Sequence, residues 1–123
     1  MRLWSYQLIT KLPRQQLLGQ HRECCALRGN GWGKKQSTVD YVFNYPYEVL
    51  FAYHQLVMSE MHKRGYSVTS EWKEGEYRGK NKERLIAINK AYLNLTYKEH
   101  DYIYYQECVE NLLGKGIAVD MYI

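Results

Sequence analysis

Residues 46–65 read PYEVLFAYHQLVMSEMHKRG and form the most regular stretch of the chain. Apolar side chains recur there at the i, i+3, i+4, i+7 spacing of one helix face. They are Val49, Leu50, Tyr53, Leu56, Val57 and Met61. Asn44-Tyr45-Pro46 before the run is typical of a helix start, and Gly65 ends it. We expect the central helix of the fold here, with this face buried.

Three other segments predict helices around the central one. Pro13 suits a first helical turn, and residues 14–28 sort into an apolar and a polar face. Helices are also expected from about 81 to 95 and from about 100 to 113, with a long connection over 66–80 that is briefly extended at 66–69. Within 81–95 the inward residues would be Leu85, Ile86, Ile88, Asn89, Tyr92 and Leu93. The prediction is an all-α fold, a compact single domain over 1–123 with three to four helices and long connecting loops.

Composition and charge indicate a folded domain, and the net positive charge mildly favours an anionic partner. The 123 residues carry a net charge of +4 and are 46% hydrophobic, which is enough for a packed core. Thirteen tyrosines and three tryptophans against two phenylalanines suit half-wet surfaces that stack on bases. Three cysteines argue against a disulfide framework, and no apolar run approaches 18 residues. We therefore expect a cytoplasmic protein without a membrane segment.

The spacing of residues excludes a P-loop and disfavours a metal site. A phosphate-binding P-loop at Gly33-Lys34 would need a glycine where Arg28 stands and a hydroxyl residue where Lys35 stands. The loop with Trp32, Lys34 and Lys35 is therefore either a contact to a DNA backbone or a solvated connector. His21 and Cys25 have metal-ligand spacing, but no second such pair exists. A buried thiol beside a core histidine is the favoured interpretation, and no metal or cofactor is expected.

The polar face of the first predicted helix has an unusually low profile. It carries Gln15, Gly19, Arg22, Glu23 and Ala26. Because Gly19 and Ala26 leave the surface beside Arg22-Glu23 bare, a large partner could approach there. An ordinary surface ion pair remains the alternative.

Four stretches together resemble the pyrimidine-dimer DNA glycosylase family, to which phage endonuclease V belongs. The first is 8–23, which ends in Arg22-Glu23, and the second is the central helix with its exit Lys63-Arg64-Gly65-Tyr66. Arg78-Gly79 with Ile86-Ala87-Ile88 forms the third, and Tyr102-Ile103-Tyr104-Tyr105 with Gly114-Lys115 forms the fourth.

The resemblance implies a DNA-repair glycosylase with abasic-site lyase activity on damaged double-stranded DNA, in the form of a monomer. The terminal amine would form an imine with the sugar, and Glu23 would be the catalytic carboxylate. We assign the amine to Met1, because Met1 is rarely removed before a residue as large as Arg2. The residues expected to bind substrate or DNA are Arg2, Gln15, Arg22, Arg28, Trp32, Lys34, Lys35, Arg78 and Lys80. A non-catalytic basic nucleic-acid-binding module and a helical protein-interaction domain remain as rival interpretations.

Overall fold

The computed structural model describes residues 2–34 and 38–119, and this part of the chain is helical. Its α-helices are α1 (Arg14–Arg28), α2 (Tyr47–Lys63) and α3 (Tyr102–Gly114). Short 3₁₀ helices span Tyr6–Lys11, Asp40–Asn44, Ser70–Lys73 and Lys90–Asn94, and the described ranges contain no strand. The all-α prediction is confirmed, whereas the extended piece expected at 66–69 is not a strand. None of the described helices combines the length and apolarity needed to cross a bilayer.

Helix α2 is central, as its apolar spacing predicts. Val49, Leu50, Tyr53 and Val57 are all fully buried. Helix α1 packs directly against it and buries Leu17, Cys24 and Leu27. The prediction of burial is wrong at Leu56, which lies at the edge of the buried face and is 48% exposed. Leu3, Leu8, Ile9 and Leu12 complete the core from the N-terminal segment.

The helix expected over 81–95 is absent, and most of this segment is irregular. Only Lys90–Asn94 forms a 3₁₀ helix, and Ile86, which was expected to point inward, is fully exposed. The side chain of Asn89 accepts a hydrogen bond from the main-chain amide of Ala91 at 3.1 Å. The main-chain amide of Asn89 donates to the Glu48 carboxylate at 2.8 Å. These local bonds compete with a continuous helix.

A glycine lets this irregular segment lie against α2. A Cβ on Gly75 would come within 2.6 Å of Ile88 Cγ1 and 2.9 Å of the Phe51 ring. No side chain larger than hydrogen fits between them, so the spacing of Phe51, Gly75 and Ile88 depends on this glycine.

Helix α3 confirms the last predicted helix and holds the N-terminal segment. Its N-cap is Asp101, whose side chain accepts a hydrogen bond from the Tyr104 amide at 2.9 Å. The Tyr104 hydroxyl donates to the Leu3 carbonyl. Residues 2–4 are therefore fixed between α1 and α3.

Candidate active site

A cleft of about 400 Å³ opens between the N-terminal segment, α1 and the end of α3. Its α1 wall follows one stripe of the helix at i, i+3, i+4 and i+7. The lining residues are Arg2, Trp4, Gln16, Gly19, Gln20, Glu23, Thr38, Asn111 and Lys115. The low polar strip predicted on the first helix thus borders a cleft rather than an open solvated surface.

Glu23 is half-buried in this cleft, and its carboxyl group lies in an unusual environment. Its Oε2 atom is buried and has no hydrogen-bond partner among the described residues. Burial raises the pKa of Glu23 above its usual range, and the positive charge of Arg22 offsets only part of that rise. A desolvated carboxyl group without a partner disfavours folding and is typical of a group kept for chemistry.

The surface beside Glu23 is open because of Gly19. A Cβ at Gly19 would meet only the Arg22 NH2 atom, at 3.8 Å. The exposed Arg22 side chain therefore lies over the glycine at the rim of the cleft. This agrees with the expectation that a large partner can approach α1 here.

Gln20 fixes the N-terminal wall of the cleft, and the sequence analysis missed it. Its Oε1 atom accepts a hydrogen bond from the Trp4 amide at 2.7 Å, and its Nε2 atom donates to the Arg2 carbonyl at 3.0 Å. The Tyr53 hydroxyl donates to the Trp4 carbonyl at 2.6 Å. Gln20 is only 2% exposed, and its position three residues after the buried Leu17 was the available signal, since a polar residue inside an apolar stripe needs partners.

Arg2 lies in the same cleft as Glu23. Its guanidinium group is 3.3 Å from the Glu107 carboxylate and lies 5.6 Å from the centre of the Tyr104 ring. These contacts with α3 orient the Arg2 side chain along the cleft wall. Met1 lies outside the described residues, so its predicted role as nucleophile remains a prediction.

The other predicted binding residues are spread over the surface near α1. Gln15 is exposed and does not line the cleft, where its neighbour Gln16 stands instead. Lys34 and Lys80 are exposed, and Arg78 is partly buried. Lys35 lies outside the described residues.

Trp32 is anchored more firmly than a freely stacking ring would be. It is half-buried, and its ring packs edge-on against Phe43 and Tyr47 at centroid distances of 5.1 and 5.3 Å. This packing fastens the glycine-rich loop to the core.

The expectation that Arg28 contacts DNA is wrong, because this arginine is fully buried. Its guanidinium group donates to the Tyr47 hydroxyl, to His54 Nδ1 and to three main-chain carbonyls of segment 72–77. The cation also lies 4.9 Å from the centre of the Phe51 ring. Arg28 therefore holds the long connection against α1 and α2 and has no donor left for a phosphate.

His21, Cys25 and His54 form a cluster, although the sequence analysis had His54 far from the other two. His21 Nδ1 is 2.8 Å from His54 Nε2, and the Cys25 sulfur is 3.7 Å from the nearer nitrogen of His21. Because Arg28 donates to His54 Nδ1, the His54 proton sits on Nε2, the atom that a metal would need. The donor set therefore disfavours a metal.

The thiol of Cys25 is also a poor nucleophile, and the two histidines of this cluster are weak bases. Burial raises the pKa of Cys25 to about 11, so its thiol stays protonated and unreactive at neutral pH. Burial lowers the pKa of both His21 and His54, and the nearby cationic arginines lower it further. The expected buried thiol beside a core histidine is met only in part, because His54 is buried whereas Cys25 and His21 are half-buried.

Comparison with known proteins points to the family that the sequence resembles. The family model described as pyrimidine dimer DNA glycosylase matches residues 1–74, which is more than half of the chain. This region contains the N-terminal segment, α1 and α2, and with them Arg2, Gln20 and Glu23. No curated protein and no solved structure matches the chain. The chain belongs to the pyrimidine dimer DNA glycosylase family.

Proposed function

We propose that this protein is a DNA-repair glycosylase with abasic-site lyase activity, acting on pyrimidine dimers in duplex DNA through an imine formed by the Met1 amine. The observation that carries the proposal is the shared cleft of Arg2 and Glu23. Residue 1 is bonded to Arg2, and consecutive Cα atoms lie 3.8 Å apart. Because Arg2 and Glu23 line the same cleft, this covalent link supports an amine within reach of the Glu23 carboxyl group.

The amine at the start of the chain suits imine formation without any special burial. A free α-amine has a pKa of about 7.7–8.0, so roughly a third is neutral near pH 7.5. An unperturbed lysine under the same conditions is only about 0.1% neutral. The guanidinium groups of Arg2 and Arg22 would lower the amine pKa further.

The reaction balances without a cofactor. The neutral amine attacks C1′ of the deoxyribose, and the C1′–N bond breaks with its electron pair on the pyrimidine, which takes up the proton that the attacking nitrogen loses. The sugar ring then opens, with a proton from water going to O4′, and gives a protonated imine. A base then removes the C2′ proton, and the electron pair expels the 3′ phosphate by β-elimination. Water finally hydrolyses the imine and returns the amine. Glu23 stabilises the cationic sugar as a carboxylate and accepts the C2′ proton, for which a raised pKa is an advantage.

The proposal is tested by borohydride trapping on duplexes that carry either a cyclobutane dimer or an abasic site. We expect a covalent complex with the untagged chain starting at Met1, and none after acetylation of its terminal amine. Glu23→Gln should bind DNA but lose strand cleavage. Glu110→Gln, a change of the same kind on the exposed face of α3, is the matched control and should retain both.

The outcomes separate the rival interpretations. Salt-sensitive DNA binding without trapping, together with a silent Glu23→Gln substitution, would favour the non-catalytic nucleic-acid-binding module. The absence of DNA affinity at low salt would favour a protein-interaction domain. Either result would overturn the lyase proposal.

A further inference from the structure

The side chain of Arg2 is held by α3, although it lines the same cleft as Glu23. One terminal nitrogen of its guanidinium group donates to Glu107 Oε1 at 3.3 Å, and the other lies 3.9 Å from the Cys108 sulfur. The cation also lies 5.6 Å from the centre of the Tyr104 ring. Because Glu107, Cys108 and Tyr104 all belong to α3, these contacts draw the guanidinium group toward that helix.

The main chain of Arg2 lies beside the turn of α1 that carries Glu23. The Arg2 carbonyl accepts a hydrogen bond from Gln20 Nε2 at 3.0 Å. Gln20 precedes Glu23 by three residues, and side chains at this helical spacing are neighbours with Cβ atoms about 5–6 Å apart. Arg2 therefore stands between two carboxyl groups, that of Glu23 on α1 and that of Glu107 on α3.

Glu23 lacks the ion pair that this arrangement could provide. Its Oε2 atom is buried without a hydrogen-bond partner among the described residues. The ion pair that Arg2 forms there is with Glu107. A charge-assisted hydrogen bond between arginine and a carboxylate is one of the stronger polar interactions in proteins. The contacts with α3 therefore compete with Glu23 for the guanidinium group, and they prevail in this structure.

Glu107 is the charged member of the α3 contacts. Burial raises the pKa of the Cys108 thiol and that of the Tyr104 hydroxyl, so both groups are neutral at physiological pH. The side chain of Glu107 is 59% exposed, and a solvated carboxyl group is ionised at this pH. The positive charge of Arg2 is thus balanced on α3 and not at Glu23.

Three other positive groups belong to the surroundings of Glu23. Arg22 is exposed at the rim, and Lys115 is exposed on the α3 side of the cleft. The amine of Met1 is the third under the proposed function. Burial raises the pKa of Glu23 despite the positive charge of Arg22. Arg2, with a side chain that is only 20% exposed, is the least solvated of the described cations at the cleft, so its position decides whether the Glu23 carboxyl group is paired.

We propose that Glu107 is a positioning residue, which holds the Arg2 guanidinium group against α3 and so keeps it from forming an ion pair with Glu23. This inference deepens the proposed function and rests on it for the use that is made of Glu23. An arginine partner lowers the pKa of a carboxyl group by about 1–3, and a carboxylate with a lower pKa is a weaker acceptor for the C2′ proton. Without Glu107, the guanidinium group would turn to Glu23, the one carboxyl group that lines the cleft in the described part of the chain.

The test measures the pKa of Glu23 directly, by carbon NMR of the chain labelled with ¹³C at the glutamate side-chain carboxyl groups. The Glu23 signal is identified by its loss in Glu23→Gln. Glu107→Gln should lower the pKa of Glu23 by at least about 1. Glu110→Gln removes the same charge from the exposed face of α3 and should change it by less than about 0.3, since exposed charges are screened by salt. Glu107→Asp keeps the carboxylate and should retain most of the wild-type value.

A double variant separates this mechanism from a direct effect of the Glu107 charge. Arg2→Gln alone should change the pKa of Glu23 little, because the guanidinium group is held on α3. Arg2→Gln combined with Glu107→Gln should restore the wild-type pKa, since no guanidinium group remains to pair with Glu23. The two substitutions are therefore expected to be non-additive. Additive effects, or an unchanged pKa of Glu23 in Glu107→Gln, would overturn the inference.

The rate of β-elimination on a duplex with a preformed abasic site adds a functional readout. At saturating protein and pH 7.5, Glu107→Gln should slow this step at least about threefold, because the base is weaker, and Glu107→Asp should recover most of the rate. An unchanged rate in a variant whose Glu23 pKa has fallen would overturn the role in catalysis. The NMR measurement needs neither DNA nor lyase activity, so the positioning role and the lyase proposal can fail separately.

Discussion

Replacing Arg28 by lysine would keep one positive charge in the core while removing the planar guanidinium group. All five N–H groups of Arg28 have acceptors at 2.8 to 3.0 Å. Tyr47 and His54 supply two of these acceptors, and carbonyls of segment 72–77 supply the other three. A lysine ammonium has three donors on a single nitrogen. At least two buried acceptors would therefore lose their partner.

The expected loss of stability follows from that count. Each hydrogen bond donated by a charged group contributes about 1.5–3 kcal/mol, so the loss of two of them costs about 3–6 kcal/mol. The guanidinium contacts with the rings of Phe51 and Trp72, at 4.9 and 5.0 Å, would change as well. Because a domain is stable by only about 5–15 kcal/mol, Arg28→Lys should remove a large part of the free energy of unfolding.

Urea titration followed by far-ultraviolet circular dichroism measures this loss. With a slope of about 2 kcal/mol per molar urea, the midpoint should fall by about 1.5–3 M. Arg84→Lys is the matched control, because Arg84 is exposed, pairs with Glu74 at the surface at 2.9 Å and lies 5.1 Å from the centre of the Tyr77 ring. Its free energy of unfolding should change by less than about 0.5 kcal/mol. If Arg28→Lys were as mild as the control, the guanidinium geometry would not be what holds the 72–77 segment.

Three further predictions concern the cleft and its support. Gln20→Leu should slow borohydride trapping at least tenfold while the chain stays folded by circular dichroism, because it frees the Arg2 carbonyl and the N-terminal wall; an unchanged rate would remove Gln20 from any positioning role. Burial raises the pKa of Glu23 above 4.5, so its ionisation destabilises the folded state as pH rises past that value. Glu23→Gln should therefore raise the urea midpoint at pH 7 but not at pH 4, and a lower midpoint at pH 7 would contradict this. Gly75→Ala should cost about 1–3 kcal/mol of stability through overpacking, whereas Gly114→Ala, with nothing within 4 Å of the added Cβ, should cost none.

Regular apolar periodicity made α1 and α2 predictable, and α3 was also expected close to its observed bounds. The irregular segments between α2 and α3 could not be predicted in this way. The first helix was expected over 14–28 and spans Arg14–Arg28. The segment 81–95 has enough apolar residues to suggest a helix, but its conformation depends on Asn89, on Glu48 and on the close approach at Gly75. Such contacts are long-range and leave no periodic trace in the sequence.

The candidate site was found through Glu23 but not through the residue that supports it. Gly19 and Ala26 marked the open strip beside the carboxylate, and the resemblance gave Glu23 a role. Gln20 was missed although it follows the buried Leu17 by three residues, because a polar residue on a helix is usually solvated. Arg28 was assigned to DNA through the resemblance, and its burial could not be foreseen because it depends on three carbonyls more than 40 residues away.

Two buried polar residues of α1 each hold an irregular segment of the chain against the helix. Gln20 ties the irregular segment 2–4 to the helix and so forms one wall of the Glu23 cleft. Arg28 ties segment 72–77 to the helix, and its carbonyl accepts a hydrogen bond from Arg78 Nε at 2.8 Å. Because the two ties share no hydrogen-bond partner, they should act independently. The loss of unfolding free energy in the double variant Gln20→Leu/Arg28→Lys should therefore equal the sum of the two single losses within about 0.5 kcal/mol. At low temperature, where Arg28→Lys remains folded, only Gln20→Leu should slow borohydride trapping. A non-additive loss of stability, or an equal slowing of trapping by both substitutions, would mean that the two ties form one unit.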